Sequence, residues 1–170
     1  NKIYKIVKNK NIKLEGGDVI QNKNSIFVGI NERTNMNGFK YVEQNTDKDS
    51  YFIKHSALHL DCCFALLKNN IIIFSQKYIN KLDEKITKKF KIYVLENIID
   101  TKDTNLALNF LIIGNNIIIS NHKKFSKLRQ FLRKLGYKLF LVDFKYDYVL
   151  FGSIRCISQW GEKPDYVDIY

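Results

Sequence analysis

The amino-acid sequence predicts an α/β fold built from tandem ββαβ units. Three observations carry that expectation. Short β-branched runs alternate with stretches whose apolar residues recur every three or four positions. Asparagine- and glycine-containing turns separate paired runs. The same order of elements then returns along the chain.

The weakest copy comes first, with a strand over 13–20, a turn over 21–25, a strand over 26–30 and a helix around 35–44. In the second copy, 58–67 is apolar and strand-like, Lys68-Asn69-Asn70 is a turn, and 71–75 is a β-branched strand. An amphipathic helix is expected over 76–90, since Ile79, Leu82, Ile86 and Phe90 share one helical face, and a strand over 91–96 closes the unit. The third copy runs through a strand at 107–113, the turn Gly114-Asn115-Asn116, and a strand at 117–120. Its helix is expected over 123–135, with Phe125, Leu128, Phe131, Leu132 and Leu135 on one face and Gly136 as C-cap, before a strand at 137–142. Such units leave sheet edges open, so they call for closure into a ring or for partners. Three copies with nothing before Asn1 are expected to be part of a ring: a fragment, a processed chain or one half of a split enzyme.

The 170 residues, 45% of them apolar, suit a single domain over 1–170 with its own core. One proline and eight glycines exclude collagen-like and low-complexity classes. The longest apolar stretch, from Leu106 to Ile119, is broken by Gly114-Asn115-Asn116, and no signal-peptide pattern occurs, so a cytoplasmic protein with no membrane partner is expected. Lys and Arg total 28 against 17 Asp and Glu, a net +11 that raises nucleic acid as a partner. Lysine, asparagine and isoleucine are spread through the whole chain, however, and the basic residues form no tract, so nucleic acid is not the expected ligand. Three cysteines, two of them adjacent, make a poor disulfide framework and fit a reducing compartment. Cys156 is then a candidate reactive thiol, and with no CxxC pair no metal site is expected.

Polar residues interrupt the unit openings where a core strand would avoid them. Glu15-Gly16-Gly17-Asp18 opens one unit, the glycines permitting close backbone approach beside two carboxylates. His59-Leu60-Asp61 opens the next, and strand alternation puts His59 and Asp61 on one face. Gly152-Ser153-Ile154-Arg155-Cys156 follows the last unit. Each is ordinary alone. Together they supply a thiol, an imidazole and at least two carboxylates, the groups that attack on a cationic carbon requires.

On these residues the chain resembles the guanidino-group-modifying enzymes of the pentein superfamily: arginine deiminase, dimethylarginine dimethylaminohydrolase and the amidinotransferases. Leu14-Glu15-Gly16-Gly17-Asp18-Val19 resembles the family's LEGGDV motif, and Phe27 to Asn35 its F-x-G-x-S-x-R-T-N segment, with Asn31 in place of serine. His59-Leu60-Asp61-Cys62-Cys63-Phe64 resembles HLDxxF, and 152–158 resembles the loop of the nucleophilic cysteine, with Ser153 where a second glycine is common. The resemblance implies a pentein-type ring with about three of its five ββαβ units present. It also implies thiol-dependent hydrolysis of an arginine- or methylarginine-like guanidino compound to a ureido product, through a covalent thiouronium and without a cofactor.

By the same resemblance, Cys156 is the nucleophile and His59 the proton carrier. Glu15, Asp61 and Asp18 face the guanidinium, and Arg33 grips a substrate carboxylate. A second chain or a missing N-terminal segment would complete the ring and supply a further aspartate. An amidinotransferase passing the group to an amine, or an inactive pentein used for binding, are the alternatives. Cys62 and Cys63 are expected in the core and His55 and His122 at the surface, while Asn109 lies within reach of the site with no role assigned.

Overall fold

A computed structural model describes residues 10–104, 106–143, 154–156 and 158. Among them the strands form three separate three-stranded sheets, each assembled in the same way. The first unit contains β1 (Val19–Gln21), β2 (Ser25–Ile30), α1 (Met36–Gln44) and β3 (Asp49–Lys54). The second contains β4 (Phe64–Leu67), β5 (Ile71–Phe74), α2 (Glu84–Lys89) and β6 (Lys91–Val94). The third contains β7 (Leu111–Ile113), β8 (Asn116–Ser120), α3 (Ser126–Lys134) and β9 (Lys138–Val142). In every unit the first two strands pair antiparallel through a short turn, and the helix carries the chain across so that the third pairs parallel to the second.

Local chemistry sets the joints. Asn35 caps α1 by accepting from the Gly38 N–H at 2.9 Å, and its own N–H holds Lys13 O at 3.1 Å, tying the incoming chain to the helix. Asn69 and Asn70 turn β4 into β5 with φ of 58° and 54°, a left-handed conformation that asparagine tolerates better than most residues. Gly136 ends α3 at φ 83°, its N–H on Arg133 O at 2.9 Å.

Several expected elements are shorter than the pattern suggested. The strand expected over 58–67 begins only at Phe64, because Leu60–Cys62 form a 3-10 turn. Similarly, Gly16–Asp18 form a 3-10 turn and leave only Val19–Gln21 as strand. The helix expected over 76–90 is confined to Glu84–Lys89, capped by Asp83. Ile79, Leu82, Ile86 and Phe90 are all buried, as their spacing implied, but a loop buries the first two. In the third unit, 106–108 form a turn and the strand starts at Leu111.

Two apolar clusters join neighbouring units. One contains Phe27, Phe64, Leu66, Ile72, Phe74 and Ile86, from the first and second units. The other contains Ala65, Ile71, Ile73, Ile117, Leu128 and Leu132, from the second and third. Side chains of β4 and β5 therefore alternate between the clusters, which is why Phe64-Ala65-Leu66-Leu67 and Ile71-Ile72-Ile73-Phe74 read as unbroken apolar runs. The first strands of all three units share one open groove of about 710 Å³, lined among others by Ile20, Leu66 and Ile112. No helix of the described residues is long and apolar enough to cross a membrane.

Candidate active site

Each unit enters its first strand through a tight turn, and these turns carry the candidate groups. Glu15 precedes the turn Gly16–Asp18, and His59 precedes the turn Leu60–Cys62. The two meet: the Glu15 carboxylate and His59 Nε2 are 2.6 Å apart. A carboxylate only accepts, so Nε2 carries the hydrogen of this bond. The His59 ring lies directly on Gly17, where a Cβ would stand 2.6 Å from ring Cγ and Nδ1. That contact is the local reason for glycine there. The hydrogen bond from His59, helped by Arg33, outweighs the desolvation of Glu15 and holds its carboxyl below the usual range. Arg33 is half exposed, with Nη1 at 3.4 and 3.5 Å from the Glu15 oxygens.

Asp18 requires a correction. It was expected to face the guanidinium, but it is fully buried, and both its oxygens are engaged. Oδ1 accepts from Leu60 N at 2.8 Å, from His55 Nε2 at 3.1 Å and from Asn31 Nδ2 at 3.4 Å, while Oδ2 accepts from Thr34 Oγ1 at 2.7 Å. Burial alone would push Asp18 up, yet the bonds from His55, Thr34 and Leu60 hold it below the ordinary value. Asp18 is thus the peg between the first turn and the second. Thr34 shares the work by accepting from Glu15 N at 3.0 Å. His55 is correspondingly buried rather than at the surface, whereas His122 is exposed.

Asp61 does not share a strand face with His59; the 3-10 turn sends it inward, 4% exposed. Its Oδ2 lies 3.6 Å from Arg155 Nε, and its Oδ1 accepts from Cys62 Sγ at 3.4 Å. Burial, then the negative charge of a Cys156 thiolate, push Asp61 up to about 6 against the pull of Arg155. Cys62 and Cys63 are buried, and the Cys62 thiol, hydrogen-bonded with Cys156 and desolvated, is pushed far up.

Cys156 is exposed and reaches the site from beyond the third sheet; Gly152 and Ser153 of its loop lie outside the described residues. Its sulfur meets Asn109 Nδ2 at 3.2 Å, on the segment that leads from the third turn into β7. The arrangement therefore gathers Glu15, His59 and Arg33 at the first two turns, and Asp61, Arg155, Cys156 and Asn109 at the second and third. His55 and His59 stand four residues apart, a metal-ligand spacing on a helix, but their segment is not helical and their rings go to different carboxylates. Asn109, within reach of the site on the sequence alone, stands out as the lone polar residue in Leu106-Ala107-Leu108-Asn109-Phe110-Leu111. Thr34 falls in the Phe27 to Asn35 segment with no role marked there, and nothing nearby in the chain marks His55 for burial.

Three repeated ββαβ sheets whose first strands line a common groove define a partial pentein-type α/β fold, and solved structures agree. An amidinotransferase of the saxitoxin biosynthetic pathway from Microseira wollei matches with a TM-score of 0.65 and 23% identity, over 82% of this chain and 45% of that one. Dimethylarginine dimethylaminohydrolase from Pseudomonas aeruginosa, solved with citrulline, matches with a TM-score of 0.65 and 18% identity, over 79% of this chain and 51% of that one. The arginine deiminase family model matches residues 2–102, and the chain belongs to that family. Among curated proteins, the uncharacterized protein YkgA of Bacillus subtilis is 29% identical over 150 residues, covering 86% of this chain and 51% of its own length. The chain thus spans about half the length of the relatives it matches.

Proposed function

We propose that the chain carries the catalytic part of a thiol-dependent hydrolase that converts an arginine- or methylarginine-like guanidino compound to a ureido product. The observation that carries this reading is that buried Asp61 interacts electrostatically both with His59, the imidazole paired with Glu15, and with the exposed Cys156 thiol. Family membership supports the same class of chemistry.

Asp61 receives the guanidinium, whose charge favours its ionised form. Cys156 Sγ bonds to the guanidinium carbon, and His59, held by Glu15, protonates the departing ammonia or alkylamine. Water then gives a proton to His59 and adds to the thiouronium carbon. The carbon–sulfur bond breaks, returning the thiolate, and the new hydroxyl releases its proton to the departed amine or solvent, leaving the neutral ureido product. Arg33, half exposed beside Glu15, takes an anionic group of the substrate, and Asp18 positions the two turns. Exposed Phe140, Leu141 and Val142 on β9 and the half-length match support completion of the ring by another chain or segment.

The test is ureido-product formation from a panel of guanidino compounds by this protein and by Cys156→Ser. Product that disappears with the thiol supports the reading. No product from the parent, or equal product from both, overturns it. The likeness to an amidinotransferase favours one second reading, in which an amine replaces water; an amidino product formed only when an amine acceptor is added identifies it.

A further inference from the structure

Among the described residues, Asn109 addresses the candidate nucleophile with its side-chain amide. It is 1% exposed at the start of the third unit, 47 positions from Cys156 in sequence. Its Oδ1 accepts from Arg155 N at 3.1 Å and from Cys156 N at 3.4 Å. Those two backbone donors fix the orientation of the amide, so Nδ2 is the atom turned to Cys156 Sγ at 3.2 Å. Sγ also lies 3.5 Å from Oδ1, but that acceptor already serves two N–H groups, so a thiol proton competes for an occupied oxygen. A thiolate instead receives an unshared N–H, in a charge-assisted hydrogen bond.

A second observation points the same way. Leu106, which opens the turn leading to Asn109, has φ 58°, and Asn109 N donates to Leu106 O at 3.1 Å. A left-handed leucine is strained, because its Cβ crowds the following carbonyl oxygen. Asparagine adopts this conformation more readily, as Asn69 and Asn70 do in the second unit. Such strain persists where the surroundings hold it, and here it aims one buried amide at one sulfur.

We infer that Asn109 is a catalytic residue whose side-chain N–H stabilises the Cys156 thiolate while its carbonyl fixes the turn that carries it. This rests on the hydrolase reading only for the use made of the thiolate; the hydrogen bond itself is tested without substrate. Asp61 and Cys62 also face this sulfur, with Arg155 and His59 beyond them on Asp61, and all four stay constant in the comparison.

The test is the pH profile of Cys156 alkylation by iodoacetamide, read by peptide mass spectrometry, in the parent and in Asn109→Asp and Asn109→Leu. Asn109→Asp keeps an acceptor for the two backbone N–H groups but replaces the donor with a carboxylate that itself repels a thiolate, so its drop counts only beside a drop in the neutral Asn109→Leu and beside an NMR pH titration of the parent's Asn109 side-chain amide. The expected result is a drop in alkylation at pH 7 of about tenfold or more, with the midpoint moved upward, in both variants. Unchanged alkylation in either variant overturns the inference. If either variant melts below the assay temperature, the parent alone decides by NMR. The Asn109 side-chain amide protons shift with the alkylation midpoint if they hold the thiolate, and a flat trace overturns the role. A normal alkylation result with no ureido product would sink the hydrolase reading and leave Asn109 as a thiolate partner.

Discussion

At the scale of single residues, His59 sits on Gly17 with no room for one more carbon. Gly17→Ala must push the imidazole off Glu15 or tilt the turn. Misplacement of about 1 Å is worth on the order of 10²-fold in rate, so kcat should fall by that order while the melting temperature moves by only a few degrees. Steady-state kinetics beside a thermal melt would check both. Asp61 makes a prediction of opposite sign for stability. Its folded value of about 6 lies above the ordinary 3.8, so the folded state keeps a proton that the unfolded chain has lost. Stability therefore falls as pH rises from about 4 to about 6, and the deficit persists above, at roughly 1–3 kcal/mol. Asp61→Asn should raise the melting temperature at pH 7.5, change it little at pH 4, and abolish turnover. For Asp18 the sign reverses: its lowered value contributes stability that is present above its ordinary 3.8 and lost as pH falls through the lower folded value. Asp18→Ala, which strands His55 and Leu60 N, should cost about 3 kcal/mol in urea unfolding at pH 7. The sequence marked Glu15, His59, Asp61 and Cys156 as reactive types at recurring positions. The distinction between a carboxylate that faces the site and one that pegs two turns depends on Thr34 and His55, which adjacent residues do not reveal.

At the scale of elements, unit order, turn positions and the helices α1 and α3 were legible, because asparagine, glycine and apolar period all act locally. The length of α2 was not. Ile79 and Leu82 keep a helical interval but are buried from a loop, since Asp83 accepts from Lys85 N at 2.8 Å and starts the helix there. Burial decides where apolar side chains go, and a cap decides where the helix begins. The strand expected over 58–67 failed for a related reason: alternation cannot separate a strand from a 3-10 turn whose buried residues run consecutively, as Leu60, Asp61 and Cys62 do. The β4–β5 connection yields its own prediction. With Asn69 and Asn70 both left-handed, Asn70→Val should cost about 1–2 kcal/mol in urea unfolding, whereas Asn70→Gly should be nearly neutral.

At the scale of the whole molecule, the middle sheet is the common wall of two cores. Ile86 belongs to one cluster and Ile117 to the other. Each Ile→Val truncation should cost about 1 kcal/mol, and the double variant should show the sum to within about 0.5 kcal/mol, measured as a double-mutant cycle in urea. A larger coupling would mean that the sheet between them transmits strain. The repeated architecture was readable because each unit states its pattern locally. The packing of unit on unit was visible only as the unbroken apolar runs of β4 and β5. The net charge of +11 had no such structural signature to match it, being spread over the whole chain.

Cys156 comes late in the chain, yet its partner Asn109 and the turns bearing Glu15, His59 and Asp61 all precede it. A chain made from its N-terminus outward has therefore synthesised all three sheets before the sulfur exists. On the proposed role of Cys156, the half-made chain holds no nucleophile, and the thiol meets Asn109 only after every sheet has been synthesised.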